Sequence, residues 1–372
     1  MERHSVKALQ KLITVAKGNC LADLVLKNCR ICDVFNQQII AGDIAIVDGC
    51  IGGIGGHYKG KKEVNCHNQY AAPGFIDGHI HIESSYLSPE EFGRLIVPLG
   101  TTCIIADPHE IVNVCGMKGL RYMVKAAAQT ALHVEYMLPS CVPSTPFEDS
   151  GAIITAKDMV KPLASNAILG LGEFMNVPGV INCDKEVLAK LHAAQQAGKI
   201  IDGHSPGLLG KGLMAYGAAG IQTDHECYTV QEMQERLSLG MYVMLRNGSA
   251  AENLPELLKG VTSANIRRCL LCSDDLHPKT IFERGHINYD LQYCVQHGLE
   301  PLAALTMATI NPAECYGLKD RGAQTPGRRA DIVLMSDLKE FRVNQTWIDG
   351  KLVAKKGRYL LAEKKYSIAS VS

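Results

Sequence analysis

The sequence predicts an α/β protein, a TIM-like (β/α)8 barrel carrying a small β-sandwich built from both chain ends. Three observations predict it. Apolar runs at 74–82, 101–106, 132–138, 167–173, 199–204, 220–225, 241–246 and 268–273 read as eight strands. Helical periodicity falls between several of them, at 184–197, 208–218, 230–238 and 301–309. Residues 21–70 and 328–360 instead alternate as short strands, among them Ile44-Ala45-Ile46-Val47 and Gln345-Thr346-Trp347-Ile348, with Asp349-Gly350 as a hairpin turn. The expected division is a helical extension at 1–20, a β-sandwich at 21–70 plus 320–362, a barrel at 71–319 and a tail at 363–372.

Composition narrows the function. The 372 residues are 47% hydrophobic and 20% charged, which suits a large barrel plus a minor domain. Lys+Arg and Asp+Glu both number 38, so no net field recruits nucleic acid or an anionic membrane. The 14 cysteines lie scattered through apolar runs, the pattern of reduced, buried thiols in a cytoplasmic protein. Met1 to Lys17 is amphipathic and lacks the apolar stretch of a signal peptide. No run approaches the ~20 apolar residues of a membrane span.

The most informative stretch is Asp77-Gly78-His79-Ile80-His81-Ile82-Glu83. Residues two apart on a strand face one side, so His79 and His81 offer two imidazoles to one divalent ion. A lone histidine there would ordinarily be a hydrogen-bonded core residue. The other strand ends change that reading. They deliver Asp107, His109 and Glu110, then Glu173, His204-Ser205, Asp224-His225-Glu226, Arg246-Asn247 and Ser273-Asp274-Asp275. Barrel chemistry collects at the C-terminal ends of the strands, and such a ring of carboxylates demands cations. Imidazole and carboxylate without thiolate suit Zn, Mn, Fe or Co. Glu173 can bridge two ions roughly 3.5–4 Å apart, with a hydroxide between them, and Asp274 can bind an ion and take the hydroxide's proton.

Two other patterns are weighed against bland readings. Cys29/Cys32 and Cys269/Cys272 have zinc-ribbon spacing but sit inside strand-like runs, which favours buried thiols. Gly52-Gly53-Ile54-Gly55-Gly56 lacks the helix and Lys-Ser/Thr of a phosphate loop and reads as a hairpin turn.

The strings Ala72-Pro73-Gly74-Phe75-Ile76-Asp77-Gly78-His79-Ile80-His81, Ala106-Asp107-Pro108-His109-Glu110-Ile111, Gly170-Leu171-Gly172-Glu173-Phe174-Met175, Asp202-Gly203-His204-Ser205-Pro206, Thr223-Asp224-His225-Glu226, Cys272-Ser273-Asp274-Asp275 and Gly285-His286-Ile287-Asn288 resemble the amidohydrolase superfamily, and within it the bacterial adenine deaminases. The resemblance spans residues 20 to 360. It implies an aminohydrolase acting on a cyclic amidine: adenine becomes hypoxanthine and ammonia by attack of a metal-bound hydroxide. The implied cofactor is a binuclear centre of Mn2+ or Fe2+, or of Zn2+. His79 and His81 with Asp274 would hold one ion, His204 and His225 the other, and Glu173 would bridge. Asp107, His109 and Glu110 would be rim residues or ligands of an additional metal. Glu83 and Glu226 are the candidate acids for purine N1, Asp274 the proton shuttle and Ser205 a substrate contact, while Arg246 either orients the purine or pairs with a rim carboxylate. A homo-oligomer, specifically a dimer, with a small purine substrate is implied.

The match departs from the family pattern in three places. Relatives continue into a further α/β domain, so an apolar docking patch is expected. Leu99 precedes Gly100 where His is usual, and Asn247 follows Arg246 where Glu is usual. The alternatives are a related amidohydrolase acting on another purine or a cyclic amide, or a truncated inactive subunit.

Overall fold

A computed structural model of the protein describes residues 5–145 and 147–362. Its strands begin with β1 (Leu24–Asp33), β2 (Gln38–Val47), β3 (Cys50–Ile54), β4 (Glu63–Asn65) and β5 (Tyr70–Pro73). There follow β6 (Phe75–Ile80), β7 (Thr101–Ala106), β8 (His133–Leu138), β9 (Ile168–Phe174), β10 (Ile200–Gly203), β11 (Thr223–Asp224), β12 (Tyr242–Arg246) and β13 (Cys269–Cys272). The last are β14 (Ile332–Met335), β15 (Val343–Ile348), β16 (Lys351–Lys355) and β17 (Arg358–Tyr359). The chain divides into two compact units.

One unit comprises the described residues up to Ile76 together with Arg94–Thr102 and Arg284–Ala362. Its sheet runs β17-β16-β15-β14-β5-β1-β2-β3, with β4 paired to β1. The antiparallel pairing of β14 with β5, Val333 opposite Ala72 and Leu334 opposite Ala71, joins the two ends of the chain. Alternation puts every second side chain on one face, so Leu24, Leu26, Ile44 and Ile46 meet Ile332, Leu334 and Trp347 in one core. The helices Ile287–Gln296, Pro301–Met307 and Ile310–Cys315 also belong to this unit.

The glycine-rich run is not a turn as expected. Gly52 and Gly53 lie inside β3, and only Gly55, at φ +81°, turns the chain. The cause is packing from above. A Cβ on Gly52 would sit 2.9 Å from Cγ1 of the buried Val15, and one on Gly53 would overlap the Tyr58 ring. Val15 belongs to the helix Val6–Ala16, which Ser5 caps by accepting from Ala8 N at 3.2 Å.

The second unit, Asp77–Gly93 with Cys103–Glu283, holds the C-terminal parts of β6 and β7 and all of β8 to β13. Five of these strands form a sheet in the order β10-β9-β8-β7-β6, and β11, β12 and β13 form another. The pairs β7–β8, β8–β9, β9–β10, β11–β12 and β12–β13 are parallel. A parallel bridge between Ile80 and Asp274 links the two sheets on one side, and Gln222 N donates to Ile201 O at 3.0 Å on the other. Strands covered on both faces are apolar throughout, which is why β7 and β13 read as continuous runs. Helices intervene where the periodicity places them. Lys185–Gln196 is capped by Asp184, which accepts from Glu186 N and Val187 N, both at 3.0 Å. Val230–Ser238 opens on a Thr229/Glu232 capping box. Because the strands run parallel, their C-terminal residues emerge together.

Both CxxC pairs are buried thiols outside any disulfide: Cys29 and Cys32 in β1, Cys269 and Cys272 in β13. Among the described residues no helix is long and apolar enough to cross a membrane.

Candidate metal centre and active site

The strand ends bring His79, His81, Glu173, His204, His225, Glu226 and Asp274 into one cluster of largely buried side chains. His79 Nε2 and His81 Nε2 stand 3.2 Å apart, and both face Asp274 Oδ1, at 3.5 and 3.3 Å. Across the site the two carboxylate oxygens of Glu173 point in different directions. Oε1 lies 3.3 Å from His81 Nε2. Oε2 lies 2.8 Å from His204 Nδ1 and 3.2 Å from His225 Nε2. The His79 and His225 rings stack at 4.1 Å, which holds the two halves in contact.

Asp107 and His109 approach from the end of β7. His109 Nδ1 lies 2.6 Å from Asp107 Oδ1 and 3.7 Å from Glu173 Oε1. Asp107 Oδ2 accepts from Glu173 N at 2.9 Å, so this carboxylate also braces the central one. Glu110 is half-exposed, 3.5 Å from His81 Nδ1, which also meets Asp107 O at 2.8 Å.

The donor set fits divalent cations. Nδ1 of His79 and Nδ1 of His225 are buried without a hydrogen-bond partner, while His225 Nε2 faces only the Glu173 carboxylate and His109 Nδ1 only Asp107 Oδ1. Buried polar atoms in native proteins are ordinarily satisfied, and the His, Glu and Asp ligand atoms here fall in groups of three that lie within 4.8 Å of one another, a spacing that suits an ion. Electrostatics agree. Burial alone would lower the His81 pKa, yet Glu110, Glu173 and Asp274 hold it well above the ordinary imidazole value. Burial would raise Glu173, yet the surrounding histidines hold it well below the carboxylate range. Asp274 is depressed in the same way by His79 and His81. The carboxylates demand positive charge, which imidazolium or a metal can provide.

Glu83 follows the His-x-His pair in a short 3-10 turn (Ile82–Ser85). Burial, then the charge of Glu110, pushes its pKa up to about 7. Its Oε1 accepts from Ile111 N at 3.3 Å, and its Oε2 is buried without a hydrogen-bond partner. Glu226 is placed differently: Arg246 Nη1 donates to its Oε1, and Nη2 to its Oε2 at 3.3 Å. Arg246 Nη1 also reaches Asp274 Oδ2 at 2.7 Å, so the guanidinium links these two carboxylates. Ser205 is fully buried, and its hydroxyl donates to Asp224 Oδ2. Asp275 accepts from the Ser84 hydroxyl.

Asp274 has φ +56°, in the left-handed region that Asp and Asn tolerate better than most residues. Two backbone bonds hold it there: its N–H donates to His79 O at 2.9 Å, and its carbonyl accepts from His81 N at 3.1 Å.

Supporting residues escaped sequence reasoning. Asp77 Oδ1 accepts from His79 N at 3.2 Å and Ser273 N at 3.1 Å, tying the first strand end to the last. Asn253 accepts from Arg246 N at 2.6 Å and donates to His225 O at 2.9 Å. Arg236 sits fully buried behind the His204/His225 pair. Asp77 at least stood beside the motif; Asn253 and Arg236 gave no pattern to read.

The Amidohydrolase family profile matches residues 70–353. "Adenine deaminase 2" of Desulfotalea psychrophila is 60% identical over 364 residues, 98% of this chain and 63% of that protein. "Adenine deaminase" of Ligilactobacillus salivarius is 52% identical over 363 residues, again 98% of this chain and 63% of the relative. The chain thus spans less than two thirds of the length of these relatives. Among solved structures, the L-hydantoinase (dihydropyrimidinase) of Arthrobacter aurescens superposes with a TM-score of 0.63 at 17% identity, covering 92% of this chain and 98% of that one. That likeness speaks to the TIM-barrel type of fold, while the profile and the sequence identities reach further: the chain belongs to the amidohydrolase family.

Proposed function

We propose that the chain hydrolyses adenine to hypoxanthine and ammonia, with the strands β6 to β13 forming a closed (β/α)8 barrel around a binuclear centre. The observation that carries this reading is Glu173, one oxygen toward His81 and the other toward His204 and His225. Identity of 60% and 52% to two adenine deaminases supports the substrate class. In the proposed centre His79, His81 and Asp274 would hold one ion, His204 and His225 the other, and Glu173 would contribute to both. Asp107 and His109, paired at 2.6 Å at the end of β7, would serve an additional ion or brace the rim. Bound Mn2+ or Fe2+ would supply Lewis acidity, bringing the ionisation of water into the neutral range.

The chain's own groups manage protons and orientation. Deamination forms a C6–O bond, breaks the C6–N bond and needs a proton on the leaving amine. Asp274 reaches over the site to take the proton of the attacking water and return it to that amine. Purine N1 must gain a proton for C6 to become electrophilic. Glu83 suits that task better than Glu226, since its Oε2 is uncommitted while both oxygens of Glu226 are bound by Arg246. Arg246 orients the site through Glu226 and Asp274, and Ser205 through Asp224.

The test is direct. The purified chain is loaded with Mn2+, its metal content is counted, and hypoxanthine and ammonia are followed after adenine is added. Turnover is expected. Two bound ions without turnover would make the chain a silent subunit, and turnover of guanine or a cyclic amide would move the assignment to a related amidohydrolase.

A further inference from the structure

Behind the histidines of the second proposed ion lies a buried charge pair that touches no ligand position. Arg236, on the helix Val230–Ser238, has a fully buried guanidinium, and its partner Asp224 is fully buried too. A guanidinium has five N–H donors, and each of these has an acceptor. Nε donates to Asp224 Oδ2 at 2.8 Å. Nη1 donates to Leu208 O at 3.1 Å and Glu232 O at 3.2 Å. Nη2 donates to Ser205 O at 2.6 Å and Ser205 Oγ at 3.1 Å.

Asp224 is equally committed. Its Oδ1 accepts from Ser205 N at 3.4 Å and Glu226 N at 2.9 Å. Its Oδ2 accepts from the Ser205 hydroxyl as well as from Arg236. Ser205 directly follows His204, and Asp224 and Glu226 flank His225. One ion pair therefore fixes the backbone on both sides of His225 and on the C-terminal side of His204, two histidines from different strand ends whose rings stand 5.2 Å apart at 71°.

We infer that Arg236 is a positioning residue for the His204/His225 half of the centre, setting the affinity of the second ion while leaving the first untouched. The inference rests on the binuclear reading above. Lysine in its place keeps the charge but cannot span five acceptors, and a planar fork has no substitute in a point charge.

The experiment uses the full chain and Mn2+ alone, without substrate. Equilibrium dialysis with metal analysis gives stoichiometry and affinity for the wild type, Arg236→Lys and Ser205→Ala, and thermal unfolding of each metal-free protein serves as control. The wild type is expected to take two ions. Arg236→Lys is expected to keep the first with unchanged affinity and to bind the second about 10–100-fold more weakly, the usual cost of losing an outer-shell partner. Ser205→Ala, which removes one hydroxyl and no charge, is expected to shift the same ion by a smaller factor and keeps the test alive should the lysine variant not fold. Unchanged second-ion affinity in either folded variant overturns the inference. So does loss of both ions in step with the thermal stability of the metal-free protein. Fewer than two ions in the wild type sinks the binuclear reading itself, and this inference with it.

Discussion

Two regions bury carboxylates and treat them in opposite ways. In the sheet unit, Asp43 is buried, and burial alone would raise its pKa. Lys27 Nζ at 2.6 Å and the N–H groups of Asn28 and Tyr58, both at 3.1 Å, hold it below the ordinary range. Its demand is met from within the protein. In the other unit the strand ends collect Asp107, Glu173 and Asp274 around histidines whose ring nitrogens are in part left without hydrogen bonds. The Asp224–Arg236 pair, a few residues away, is saturated like Asp43. Satisfied buried charge marks architecture, and unsatisfied buried charge marks the place where a ligand completes the structure.

That contrast can be broken experimentally. The largest effect is expected for Glu173→Gln, which removes the one carboxylate facing both histidine groups. Adenine turnover should fall by about 10³-fold, some 4 kcal/mol of barrier, and bound Mn2+ should drop below two per chain. Full metal content with normal turnover would remove Glu173 from the centre. Asp43→Ala should do the reverse: stability in urea falls by about 3 kcal/mol, typical of a broken buried pair, while metal content per folded chain stays the same. Metal itself is the third probe. At 100 times its dissociation constant, Mn2+ should stabilise the metal-free chain by about 2.7 kcal/mol per site, read as a rise in Tm. No rise would mean that imidazolium already balances the carboxylates.

The smallest effect concerns Asp23, part-exposed on the sheet unit. Partial burial pushes its pKa up, but Lys61, Lys11 and the N–H of Asp48 bring it down from 3.8 to about 2. A depressed folded-state pKa contributes stability above the unfolded value, and that contribution is lost as pH falls from 3.8 toward 2. Solvent screening reduces it to roughly 1 kcal/mol. Asp23→Asn should therefore lower stability slightly at pH 7 and make no difference near pH 2.

What was legible in the sequence follows from period and position. Parallel strands covered on both faces read as apolar runs, so the pattern alone places β6 to β13 and gathers the residues that close those runs. His79 and His81 declared themselves because a strand repeats every two residues. Arg236 could not be found that way: it sits in a polar-looking helix, and its buried destination depends on how that helix packs against β12 and reaches Asp224. Asn253 lies in an irregular segment with no period at all. The glycine run reads as a turn because the cause of its small side chains lies outside it, in Val15 of the first helix and in Tyr58 just beyond the run, which occupy the space side chains would fill.

The backbone of Asp274 has a consequence for how such chains can change over time. A residue held at φ +56° by bonds to His79 and His81 admits few replacements without strain of about 1 kcal/mol or more. Asparagine and glycine are the comfortable ones. A lineage abandoning this chemistry would therefore leave a narrow signature: Asn or Gly at position 274 behind an intact His79-x-His81, a fossil that sequence alone can identify.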